Sequence, residues 1–243
     1  MSTLFELIAK GGPVMVPVVG LSIATVATGI ERTIFWIQIL RKEDQLAHDV
    51  LEAAHFDLSE ARLIAEQSQD QPLGRFLLAP LKLNSPTPET FRLALESAGD
   101  EEFAQMRKGD KLLETVVGVA PLLGLLGTVT GLIVTFVNLK IGGGGSSVDT
   151  SKAAAGIGEA LITTAGGMIV AIIALVFFRV FVTLRAKQVE YFSKVGGRLE
   201  LIYRHLWYEA DSEAPQQTNN ATGGSLKTLS ATSQPDGRRP HAV

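Results

Sequence analysis

Among the side chains able to form hydrogen bonds in two stretches built mostly from apolar residues and glycine, five stand out. Thr128 and Thr135 lie in GLLGTVTGLIVTF, residues 124–136, and Glu159, Thr163 and Thr164 lie in GIGEALITTAGGMIVAI, residues 156–172. A hydroxyl donates and accepts, and a carboxyl donates only when protonated, so such a set can hold water and surround a group whose charge changes. Each threonine also has a plainer use. It can bond the carbonyl three or four residues back, or join one helix to the next, a contact worth about 0.6 kcal/mol on average in a membrane. Glu159 is harder to place that way, because a carboxylate at the centre of a membrane helix costs about 2.5–3.5 kcal/mol and usually faces water or protein.

Other chemistry is hard to find. The sequence has no Walker A pattern, no G-x-S-x-G and no H-E-x-x-H. GIGEAL at residues 156–161 has two of the three dinucleotide glycines but lies inside an apolar helix. His48 and His55 are seven apart and can share a helix face, yet a third metal ligand is not apparent, so a solvated face is expected there. With no cysteine, disulfides, thiolate catalysis and cysteine-containing zinc sites drop out together. The expectation is a protein that is not an enzyme, with no cofactor, no metal and no nucleic-acid partner.

The elements that must position these residues follow from hydropathy. The 243 residues are 46% hydrophobic and 19% charged, and the mean hydropathy is +0.23. That apolarity is concentrated in three blocks without a charge, residues 12–30, 115–139 and 160–178. As helices such blocks are about 28–38 Å long, the thickness of a bilayer core. The fold class expected is therefore an all-α integral membrane protein with three transmembrane helices. The first block follows a weakly basic start and precedes no A-x-A site, which predicts an uncleaved anchor.

Lysine and arginine set the orientation. Arg41, Lys42, Arg62, Arg75, Lys82, Arg92, Arg107, Lys108 and Lys111 fall between the first two blocks, and Arg179, Arg185, Lys187, Lys194 and Arg198 follow the third. Lys10 precedes the first block and only Lys140 and Lys152 lie between the second and third. The positive-inside rule then predicts a periplasmic N-terminus and a cytoplasmic C-terminus. The expected organisation is an outer segment 1–12, transmembrane helix 13–40, a cytoplasmic helical domain 41–112, transmembrane helix 113–139, a periplasmic hairpin 140–152, transmembrane helix 153–184, a cytoplasmic extension 185–210 and a disordered tail 211–243. Within it, periodicity predicts helices over 45–56 and 59–69, the latter capped by Ser59, with a proline-broken stretch after Pro72. A long amphipathic helix over 89–113, entered through Thr87 and Pro88, runs into the second span, and Gly196-Gly197 marks a bend. Gly142 to Gly145 form an outer turn.

At 100° per residue, Thr128 and Thr135 lie within about 20° of each other, beside a strip of Gly124, Gly127 and Gly131. The strip includes a small-xxx-small pair, suited to close helix contact. On the third span Gly156, Glu159, Thr163, Gly166, Gly167, Val170 and Ala174 fall on one side, with Thr164 on its margin. Glu31 and Arg32, at the inner end of the first span, are expected to pair or to snorkel.

Three stretches in this order, GGPVMVPVVGLSIATVATGIER, APLLGLLGTVTGLIVTF and GIGEALITTAGGMIVAI, resemble the ExbB/TolQ/MotA family of proton-channel subunits, closest to its ExbB branch, and the similarity spans residues 11–207. The resemblance implies a homopentamer whose second and third helices line a central pore. It also implies an ExbD-like single-span partner that carries the proton-binding aspartate, and a TonB-like protein that receives the work for uptake through the outer membrane. The family's pore threonines match Thr128 and Thr164, and its membrane glutamate matches Glu159. Thr163 and Thr135 would add hydroxyls to the path, and Gly124, Gly127, Gly131 and Gly167 would let the helices approach. Three spans in place of four disfavour a MotA-like flagellar stator. A TolQ-like subunit serving envelope integrity and a non-conducting oligomeric scaffold remain as alternatives; a solute transporter is disfavoured because inverted repeats are missing.

Overall fold

The protein is described by a computed structural model over residues 12–141 and 147–209. Every regular element among the described residues is helical: α1 (Met15–Leu40), α2 (Glu43–Phe56), α3 (Leu58–Gln67), α4 (Pro72–Leu81), α5 (Pro88–Met106), α6 (Asp110–Ile141) and α7 (Ser147–Ile202), followed by a π-helical turn (Tyr203–Tyr208). Three stretches within Met15–Phe56, Pro88–Val137 and Ala153–Tyr208 are long and apolar enough to cross a membrane. The glycine run 142–145, the tail from Asp211 and most of the outer N-terminal segment lie outside the described residues.

The described helices form two compact units, one of residues 12–45 with 98–141 and 147–193 and one of residues 46–97 with 194–209. In the first unit α6 runs antiparallel to α7. Ala120 lies against Gly167, Gly124 against Thr164, Gly127 against Thr163, Gly131 against Ala160 and Gly156 against Thr135, so numbers rise on one helix as they fall on the other. Helix α1 runs parallel to α7, with Met15 near Gly166 and Gly29 against the ring of Phe177. Val18, Trp36, Val116, Ala120, Ala174 and Phe181 fill the interior, while Ile23, Leu122, Ile133, Leu161 and Ile172 point outward as lipid-facing residues would.

One expectation of continuity fails. The amphipathic pattern over 89–113 predicts a single helix entering the second span, but α5 ends at Met106 and α6 begins at Asp110, with Gly109 at φ +85° between them. That left-handed backbone suits glycine, and a methyl group there would lie 2.9 Å from Cγ2 of Thr28.

The second unit differs from its sequence reading in two places. Asp57 caps α3, its carboxylate accepting from the Ser59 amide at 2.7 Å, so the cap is two residues earlier than Ser59. The proline-containing stretch is a helix, because Pro72 occupies the first turn, where no amide partner is lost, and Pro80 falls near its end. Helical hydrogen bonding continues through Gly196-Gly197; a methyl group on Gly196 would lie 2.8 Å from Cζ of Phe76, so this glycine gives room to a neighbouring ring. Thr87 does cap α5, its hydroxyl accepting from the Thr90 amide at 3.2 Å. Phe91 stacks on Tyr203, which donates to the Pro86 carbonyl at 2.6 Å, and the Trp207 indole donates to the Ala54 carbonyl at 3.0 Å.

A seam of hydroxyls and glycines as candidate functional site

The site is built on the contact between α6 and α7. Its backbones approach closely because the facing residues are small. A methyl group on Gly127 would lie 2.5 Å from Cγ2 of Thr163, one on Gly131 2.8 Å from Cβ of Ala160, one on Gly124 3.0 Å from Cα of Thr164, and one on Gly167 2.5 Å from the Ala120 carbonyl oxygen. Such distances leave no space for another atom, which is how small-residue faces bring membrane helices together.

The five polar residues divide between the inside and the outside of this seam. Thr163 and Thr135 are sealed in it, at 1% and 6% exposure. The Thr163 hydroxyl donates to the Glu159 carbonyl at 3.1 Å and that of Thr135 to the Gly131 carbonyl at 2.8 Å, both one turn back on their own helix. Thr164 crosses the seam, donating to the Gly124 carbonyl of α6 at 2.7 Å. Thr128 is half-buried and donates to the Leu125 carbonyl at 2.7 Å. Glu159 is exposed, at the edge of the α7 face rather than within it. Each hydroxyl spends its one proton on a carbonyl and keeps its oxygen as an acceptor. Thr128, Thr164 and Glu159 are thus the members of the set that are not sealed in the seam.

At the other end of the same helices lies a cluster that sequence reasoning missed. The Arg185 guanidinium of α7 donates to the Asp110 carboxylate at the start of α6. Arg32 of α1 is 5% exposed, donates to the Met106 carbonyl and lies 4.2 Å over the Phe35 ring; its Nε has no partner among the described residues. Arg32 therefore does not snorkel, and Glu31 beside it is exposed. The Gln188 amide donates to the buried Glu43, and the Tyr191 hydroxyl to Asp44 at 2.8 Å. Burial pushes the Asp110 carboxyl up from its ordinary range against the pull of Arg185 and Arg32, and burial does the same to Glu43 against its bond from Gln188. Arg185 and Asp110 are 75 residues apart, and only the break at Gly109 hints that Asp110 opens a helix.

His48 and His55 are both exposed; His48 faces Glu52 at 3.3 Å, and Nδ1 of His55 lies 2.7 Å from the Leu51 carbonyl. No group of three metal-ligating side chains occurs among the described residues.

Membrane-length helices joined through a hydroxyl-bearing glycine seam define a multi-pass, all-α membrane protein. The chain belongs to the MotA/TolQ/ExbB proton channel family, whose profile matches residues 68–194, a segment that contains both halves of the seam. It is 61% identical to ExbB-like 1 of Synechocystis sp. over 206 residues, covering 85% of this chain and 81% of the relative. ExbB-like 3 of the same organism is 37% identical over 212 residues, 87% of this chain and 98% of the relative. The biopolymer transport protein ExbB of Xanthomonas campestris pv. campestris is 45% identical over 89 residues, 36% of this chain and 34% of that protein. An ExbB-like role in energy transduction follows from this membership.

Proposed function

We propose that this chain is the pore-building subunit of an inner-membrane proton channel, which converts proton motive force into mechanical work with an ExbD-like single-span partner and passes that work to a TonB-like protein for outer-membrane uptake. In this reading five copies enclose the pore with α6 and α7. The N-terminus is periplasmic and the C-terminus cytoplasmic, as the distribution of lysine and arginine supports. The observation that carries the reading is the division of the seam. Glycines bring α6 against α7 and two threonines are sealed between them, while Glu159 is exposed on a membrane-length helix, where a carboxylate needs water or protein rather than lipid. Thr128, half-buried on α6, offers an acceptor oxygen, and Thr164 couples the two walls. One charge crossing 100 mV releases about 2.3 kcal/mol, enough for repeated small displacements without a nucleotide.

The test is proton uptake into vesicles that hold the chain and its single-span partner, followed with a pH-sensitive dye. Thr128→Val and Thr164→Val are each expected to lower the flux about a hundredfold, the scale on which one proton-handling group acts, with the oligomeric mass unchanged. Full flux in both variants would falsify the pore assignment. A wild type that assembles but carries no flux with any partner would favour the scaffold instead.

A further inference from the structure

The glycine-proline opening of α1 takes no part in the seam, yet it meets the carboxylate that the proposed path depends on. Gly12 has φ +68°, and a methyl group on it would lie 2.6 Å from Oε1 of Glu159 and 3.7 Å from its Cδ. The turn is a defined one: the Met15 amide donates to the Gly12 carbonyl at 3.1 Å and the Val16 amide to that of Pro13 at 3.4 Å. The helix it starts lacks a cap of its own, since Val14 makes no side-chain hydrogen bond and the first turn holds no acidic residue. The positive end of the α1 macrodipole therefore lies where the Glu159 carboxylate rests, the end of a helix that holds an anion most favourably.

We propose that Gly12 is a positioning residue for Glu159. Its bare α-carbon is the seat of the carboxylate, so the start of α1, a helix outside the α6–α7 seam, fixes where that charge stands. Any side chain at position 12 displaces the carboxylate from the end of α1 into solvent. The importance of this for proton flux rests on the channel reading above; the geometry of the seat does not.

Two measurements on the full chain in membranes separate these. The first is the rate at which a water-soluble carbodiimide labels Glu159, read by mass spectrometry and independent of any flux. Gly12→Ala is expected to raise that rate several-fold, roughly the effect of freeing a held side chain by 1 kcal/mol. Gly20→Ala, at a glycine with no atom within 4 Å of the added methyl, leaves it unchanged. The second is flux with the single-span partner, which Gly12→Ala should lower about 10- to 100-fold, the usual result of moving a reacting group by about 1 Å. Gly12→Asn separates crowding from backbone strain, since asparagine tolerates the left-handed conformation but brings a side chain; it should be as harmful as alanine. Glu159→Asp withdraws the carboxylate by one methylene, so the double variant Gly12→Ala with Glu159→Asp should lose less than the product of the single losses, by more than the about twofold scatter of independent sites. Unchanged labelling, a harmless asparagine or a multiplicative double variant each overturns the seat. Altered labelling in a chain that conducts nothing upholds the seat and overturns the channel.

Discussion

Helices α6 and α7 are held together in two different ways along their length. Between Ala120 and Thr135 the contact is made of missing atoms: glycines let one backbone lie against the other, and the threonines that enter are satisfied by carbonyls one turn away or directly across. At Asp110 and Arg185 it is made of charge, with a carboxylate drawn out of water and matched by a guanidinium. The seam depends on volume and tolerates no addition, whereas the charged end depends on pairing and tolerates no single removal. This distribution is what a bilayer demands. In hydrocarbon, packing is the cheap source of helix association, whereas an ion pair is held more safely where the helices approach water.

Arg185→Met should separate the two most sharply. It leaves the Asp110 carboxylate, 12% exposed, with its nearest cation gone, and removal of one partner from a buried pair costs about 3 kcal/mol or more. Unfolding in detergent followed by circular dichroism is the measurement, and a loss under about 1 kcal/mol would place the pair among ordinary surface bridges. Gly167→Ala comes next, at about 2 kcal/mol, because its new methyl meets the Ala120 backbone oxygen, which cannot rotate away. The same assay reads it, and a neutral result would mean that α6 and α7 can slide apart at no cost. Glu43→Gln is the smallest. The folded-state pKa of Glu43 is raised by burial, so the wild type gains stability as the pH falls from above that raised value to below the ordinary carboxyl range, and loses it as the pH rises. The variant, which can still accept from Gln188, should be slightly more stable than wild type at pH 7 and equal to it in acid. Unfolding curves at several pH values check this, and a parallel pH dependence in the two proteins would assign it to other groups.

The spans were legible because a bilayer imposes a length and forbids charge. The runs 12–30, 115–139 and 160–178 satisfy both conditions and match the membrane-length helices. The strip Gly124, Gly127, Gly131 was readable from 100° periodicity, which fixes the residues that share a face. The same arithmetic put Glu159 on one side of its helix but could not name what lies against it. Periodicity sets its side near Thr163, and only the fold brings its carboxylate against the turn at Gly12. Local signals also fell short elsewhere. Gly196 gives room to the Phe76 ring, which no local pattern announces, and prolines 72 and 80 read as breakers until their positions at the two ends of α4 are known.

The sequence by itself determined that this chain spans a membrane, how many times, with which apolar segments, and which small residues could face a neighbouring helix. Those properties depend on composition and period, which are local. Only the tertiary structure decided that Thr163 and Thr135 are sealed while Glu159 is open, that Thr164 is tied to Gly124, and that Asp110 meets Arg185. Each depends on the register between helices far apart in the chain, which is set by the summed fit of many side chains and is written in no single stretch of residues.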